Sequence, residues 1–144
     1  VRGLLIVRDA EGDAEAAQRS IRTALTNARL PQCHQKAYQY LEYEDLRIGT
    51  VIFPDSRAAS GTLEDLCLAM IPPKQRDKMN LTESFAQQAD QLEPLTRPHK
   101  TRLHAYLSIQ NKLVGLKIGE AARAGAWDWH SPEVADFKRM LRDL

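Results

Sequence analysis

Four branched aliphatic residues in a row, Leu4-Leu5-Ile6-Val7, give way abruptly to Arg8-Asp9-Ala10-Glu11-Gly12-Asp13, where acidic side chains occupy alternate positions. An apolar run this short, bounded by charge, predicts a strand buried on both faces, as in a parallel sheet. From Ala14 the period changes. Ala17, Ile21, Ala24, Leu25 and Ala28 recur at spacings of three and four, one face of a helix, with Asp13 at or near its N-cap. Leu30-Pro31 closes that helix, because proline disfavours a helical residue before it.

Between Gln32 and Asp45 the pattern is mixed. Tyr38, Tyr40 and Glu42 alternate as in a short edge strand, although an exposed loop fits equally. Leu46–Phe53 is a second strand, and Pro54-Asp55 again delivers a carboxylate to its C-terminal end. Ser56 to Gly61 is small and polar, a loop. Thr62 to Ile71 reads as a short helix capped by Thr62, with Leu63, Leu66, Cys67 and Met70 inward, and Pro72-Pro73 ends it. A charged loop from Lys74 to Asn80 precedes a helix over Leu81 to Leu92, with Phe85, Ala89 and Leu92 on one face. After the break at Glu93 to Pro98, further helices are expected from His99 to about Gln110, over Ile118 to Ala122, and from Ser131-Pro132 to the end. Strands with helices between them fill the N-terminal half and helices the C-terminal half, an α/β fold in a single domain over residues 1–144.

Composition narrows the classes. The 144 residues suit one core, and 43% hydrophobic with 27% charged residues is ordinary for a globular chain. A net charge of +1 provides no global field for a polyanion, so nucleic-acid binding needs a local patch. One candidate patch lies between Arg97 and Arg123, where Arg97, Lys100, Arg102, Lys112, Lys117 and Arg123 face only Glu120; a solvated helix surface gives the same pattern. Cys33 and Cys67 alone make no disulfide framework, which suits a reducing, cytoplasmic compartment. No apolar run is long enough to span a bilayer, so a membrane is not an expected partner.

The acidic turn after the first strand is the chemical focus, because open α/β sheets place ligands at the C-terminal ends of their strands. In an extended chain, Asp9 and Glu11 share one face and repel each other, and a hard divalent cation such as Mg²⁺ would relieve this. Capping offers a second explanation: Asp13 and Glu15 suit the first turn of one helix, Glu64 and Asp65 that of another. Lys100 and His104 lie one helical turn apart. His34, His99 and His130 form no zinc spacing with the cysteines, and there is neither a Walker loop nor a dinucleotide glycine fingerprint. Glu11 and Asp13 also depart from the Asp and Thr or Val that haloacid dehalogenase phosphatases carry after their nucleophile.

Taken in order, Leu-Ile-Val-Arg-Asp9-Ala-Glu11-Gly-Asp13, Phe-Pro-Asp55, Gly61-Thr-Leu-Glu64-Asp65-Leu, Lys100-Thr-Arg-Leu-His104-Ala-Tyr-Leu, Gly119-Glu-Ala-Ala and Trp127-Asp-Trp resemble the DUF3226 family, and through it the Toprim domains of the OLD-family nucleases, over nearly the whole chain. The resemblance implies a Toprim-like fold, a mainly parallel sheet flanked by helices, with an acidic cluster for Mg²⁺ or Mn²⁺. It puts Asp9 and Glu11 at the metal-binding Asp-x-Asp pair, Asp13 at a further acidic position, Glu64 at an additional metal-binding and catalytic glutamate, with Asp65 beside it, and Lys100 at an active-site lysine. The implied activity is a nuclease or phosphoryl-transfer enzyme acting on nucleic acid, with a non-catalytic binding module as the alternative and a homo-oligomer allowed. Glu11 replaces the second Asp, and the Toprim glutamate of the first strand would lie upstream of Val1, so the expectation is an N-terminally truncated domain.

Overall fold

The computed structural model describes residues 2–33 and 36–144; Val1, His34 and Gln35 lie outside them. The chain divides into two compact units, Val1–Leu66 with His130–Leu144, and Cys67–Trp129.

In the first unit the sheet is built around β3 (Leu46–Phe53), whose Ile48, Val51 and Ile52 exclude water almost completely. On one side β3 pairs in parallel with β1 (Arg2–Asp9), from Arg2 opposite Leu46 to Asp9 opposite Phe53. On the other it pairs antiparallel with β2 (Tyr40–Tyr43). The described sheet is therefore three-stranded and mixed, in the order β1-β3-β2, where a mainly parallel one was expected. The Leu4–Val7 run forms a strand as its apolarity predicts. It lies at an edge, half-buried to exposed, and the enclosed central position falls to β3.

Helix α1 (Ala14–Asn27) covers the sheet because its apolar residues fall on one face. Ala14, Ala17, Ile21 and Leu25 pack with Ile48 and Ile52 into one core, joined by Leu4 and Ile6. The C-terminal helix α6 (Ala135–Arg142) closes the same unit: Phe137 meets Phe53 edge to face at 5.2 Å, and the Tyr40 hydroxyl donates to the Met140 carbonyl. A β-carbon at Gly49 would lie 2.7 Å from both the Met140 methyl and the Tyr40 ring, so glycine alone allows this approach.

The second unit is helical. Helix α2 (Leu63–Ala69) contains the division between the units, at Leu66 and Cys67. Helices α3 (Arg76–Leu92) and α4 (Pro98–Ser108) form a hairpin, followed by α5 (Ile118–Arg123). Leu103, Tyr106 and Leu107 of α4 are fully buried, with Tyr106 stacked on Trp127 at 6.3 Å. Helix α3 starts five residues before the expected Leu81. Arg76-Asp77-Lys78-Met79 lacks an apolar stripe but consists mostly of good helix formers, follows a 3-10 turn at Pro73–Gln75, and has Asp77 in its first turn. Among the described residues no helix is long and apolar enough to cross a membrane.

Candidate functional site

The site grows from the place where β1 stops. Ala10 N donates to Phe53 O at 2.9 Å, extending the β1–β3 ladder by one bond. The chain then turns through Glu11, whose φ of 54° is unusual for a residue with a side chain. Glu11 and Gly61 exchange both backbone hydrogen bonds, at 2.7 and 2.8 Å, and Ala14 N donates to Ala59 O at 2.9 Å. Two loops far apart in sequence are thus joined like a fragment of sheet at the C-terminal edge of β1 and β3.

Asp9 reaches across this junction. Its Oδ1 accepts from Leu63 N at 2.9 Å, so a carboxylate 54 residues away caps the start of α2. Asp65 folds back to complete the cap, its Oδ2 accepting from Thr62 N at 2.8 Å and from Thr62 Oγ1 at 3.0 Å. Thr62 was expected to accept as an N-cap; its hydroxyl donates instead. Glu64, next in sequence to both Leu63 and Asp65, is only 8% exposed, an unusual degree of burial for a glutamate. The fold therefore brings Asp9, Glu64 and Asp65 to one edge, with Glu11 tied to the same loop.

Asp13 and Lys100 are carried by other elements. Asp13 is the N-cap of α1: Oδ1 accepts from Glu15 N at 2.9 Å and Ala16 N at 3.1 Å, and Oδ2 pairs with Arg19 at 3.3 Å. These bonds, the Ala16 N–H foremost, hold its carboxyl below the usual 3.8. A carboxyl depressed on folding stabilises the native state above its unfolded value and loses that contribution as pH falls through its lower folded value. Asp13→Ala should accordingly melt below the wild type at neutral pH, and the two melting curves should converge on acidification below 3.8. Lys100 lies on α4, in the second unit.

Sequence reading did not identify Tyr38 as a structural centre. It is buried at a φ of 57°, its hydroxyl donates to Asp55 Oδ1 at 3.1 Å and accepts from Ser56 N at 2.9 Å, and Arg57 lies 4.7 Å above its ring. Burial raises its pKa, which keeps the phenol protonated as a donor. Asp55, the carboxylate at the end of the second predicted strand, is taken up by this cluster together with Arg57.

The DUF3226 family model, described as a protein of unknown function, matches residues 1–144. The chain belongs to the DUF3226 family. No curated protein and no solved structure matches it. In this DUF3226 chain no three His, Cys, Asp or Glu side chains among the described residues are grouped so as to hold a metal ion. The pair at the β1–α2 junction offers oxygen donors alone, the chemistry that Mg²⁺ and Mn²⁺ prefer, and Mg²⁺ commonly takes only one or two carboxylates and fills its octahedron with water and phosphate oxygens.

Proposed function

We propose that the chain is a Toprim-like, Mg²⁺- or Mn²⁺-dependent nuclease or phosphoryl-transfer protein acting on nucleic acid, with Asp9 and Glu64 as the residues that would hold the ion. The supporting observation is the Asp9–Leu63 hydrogen bond, which fixes the carboxylate ending β1 one residue from the largely buried Glu64. The bound ion would neutralise charge on a phosphodiester and orient water. In this reading Glu11, Asp13 and Asp65 act around the two ligands rather than as ligands themselves. Asp13 and Asp65 order the helix starts on which the edge is built, and Glu11 docks its loop through its backbone. The resemblance implies an active-site role for Lys100 as well.

Calorimetric titration of Mn²⁺ into the wild type and into Glu64→Gln tests the ion. A saturable heat that Glu64→Gln abolishes is expected, and identical heats would remove the site. Cleavage of supercoiled, linear and single-stranded DNA and of RNA, with Lys100→Ala beside the wild type, tests the chemistry. The alternative, a Toprim-like module that binds without catalysis, is favoured by a different observation: Asp9, Asp13 and Asp65 all spend oxygens on backbone N–H groups, as structural caps do. That reading expects no cleavage of any of the substrates and no change of melting temperature with metal.

A further inference from the structure

One face of the α3–α4 hairpin is apolar and open. Leu81, Phe85 and Leu92 of α3 follow at intervals of four and seven residues, which sets them in one stripe, and they are 61%, 54% and 91% exposed. Beside Leu81 and Phe85 runs a groove of about 570 Å³, whose opposite wall is formed by Thr101, His104, Ala105 and Ser108 of α4. Apolar residues scattered singly over a surface are ordinary, but three in register along an open groove mark a contact surface.

Shape, charge and size together select the occupant. The bulky residues stand on α3 and small ones, Thr101, Ala105 and Ser108, on α4, at intervals of four and three residues. A face that carries both the knobs and the recess for them complements its own copy, once a two-fold axis sets α3 of one chain against α4 of the other. No Asp, Glu, Lys or Arg lines the groove, so two copies meet there without opposed like charges, and neither an acidic nor a basic partner finds a counter-charge in it. Helix α3, of 17 residues, is about 25 Å long, and α4, of 11, about 16 Å; at about 10 Å across, the two give a face of roughly 400 Å² in outline. A pair then covers about 800 Å² before side-chain relief is added, close to the roughly 1,000 Å² of a specific interface, which suits a reversible dimer rather than a permanent one. We propose that the chain forms a two-fold symmetric dimer through this face, with a dissociation constant in the micromolar range. The face belongs wholly to the second unit and shares no residue with the Asp9–Glu64 edge, so the proposal is independent of the cation site.

Sedimentation equilibrium of the full chain in reductant, from about 5 µM to about 500 µM, tests this. The mass should rise from one chain to two, with a midpoint between about 1 and 100 µM, and stop there, because a two-fold contact closes on itself. Phe85→Glu puts a charge in the stripe and Ser108→Arg fills the recess on α4; each should raise the midpoint by about tenfold or more. Gln87→Glu, exposed on the opposite side of α3, should keep the wild-type midpoint. Positions 85 and 108 are both exposed, so circular dichroism should find both variants folded, and should one fail to fold the other decides. The proposal is overturned if the wild type is still monomeric at about 500 µM, which would give the face to a different molecule, if the mass climbs past two chains, or if folded Phe85→Glu or Ser108→Arg pairs like the wild type.

Discussion

Gly61→Ala should destabilise the chain by about 2–6 kcal/mol, read as a lower urea midpoint at unchanged slope. Two costs add. Gly61 has a φ of 124°, a region that residues with a β-carbon enter only at a cost of about 1–3 kcal/mol. The new methyl would also lie 2.6 Å from Pro54 Cδ and 2.8 Å from Cγ, atoms of a ring that cannot rotate away, and such overpacking costs about 1–3 kcal/mol. If the backbone moves to relieve both, the paired hydrogen bonds with Glu11 are lost, and with them the junction that carries Asp9 to α2. Gly12→Ala is the control: nothing lies within 4 Å of its β-carbon position and its φ is not in the positive region, so its midpoint should stay within about 0.5 kcal/mol of the wild type. A Gly61→Ala variant as stable as Gly12→Ala would mean that this junction does not fix the edge.

The same junction separates what local pattern encodes from what it does not. Periodicity placed β1, α1 and β3, because each buries one continuous stripe: Ala14, Ala17, Ile21 and Leu25 on the helix answer Ile48 and Ile52 on the strand. It also put Asp9 at the end of a strand and Asp13 at a helix start, both as found. Strand order was not legible, since an apolar run suits an edge strand beside a helix as well as a central one. The beginning of α3 was missed because Arg76–Asn80 carries no stripe and only propensity marks it as helical. In sequence Tyr38 fits either one tooth of a short edge strand or an exposed loop. Its left-handed backbone and its bonds to Asp55 and Ser56 depend on residues 17 and 18 positions away, which no local window contains. Glu64 was legible as a candidate from Gly-Thr-Leu-Glu, but its burial was not: the first turn of a short helix ordinarily faces water, and here it meets the end of β1.

Asp9 separates structure from chemistry when it is changed in two ways. Asp9→Ala removes the acceptor of the partly buried Leu63 N–H and should cost about 1–2 kcal/mol, since the start of α2 loses its cap. Asp9→Asn keeps an oxygen of the same reach, and Asn caps about as well as Asp, so its stability should return to within about 0.5 kcal/mol of the wild type. The two variants then part company over the cation. An amide oxygen carries no net charge, and a hard divalent ion held by only two carboxylates loses much of its attraction when one becomes neutral. The expected result is therefore a stable Asp9→Asn chain with no Mn²⁺ heat and no Mn²⁺-dependent cleavage. An Asp9→Asn chain that keeps both would mean that the charge at position 9 does nothing beyond its hydrogen bond. The carboxylate would then be a cap that joins β1 to α2, and the binding-module reading would take precedence.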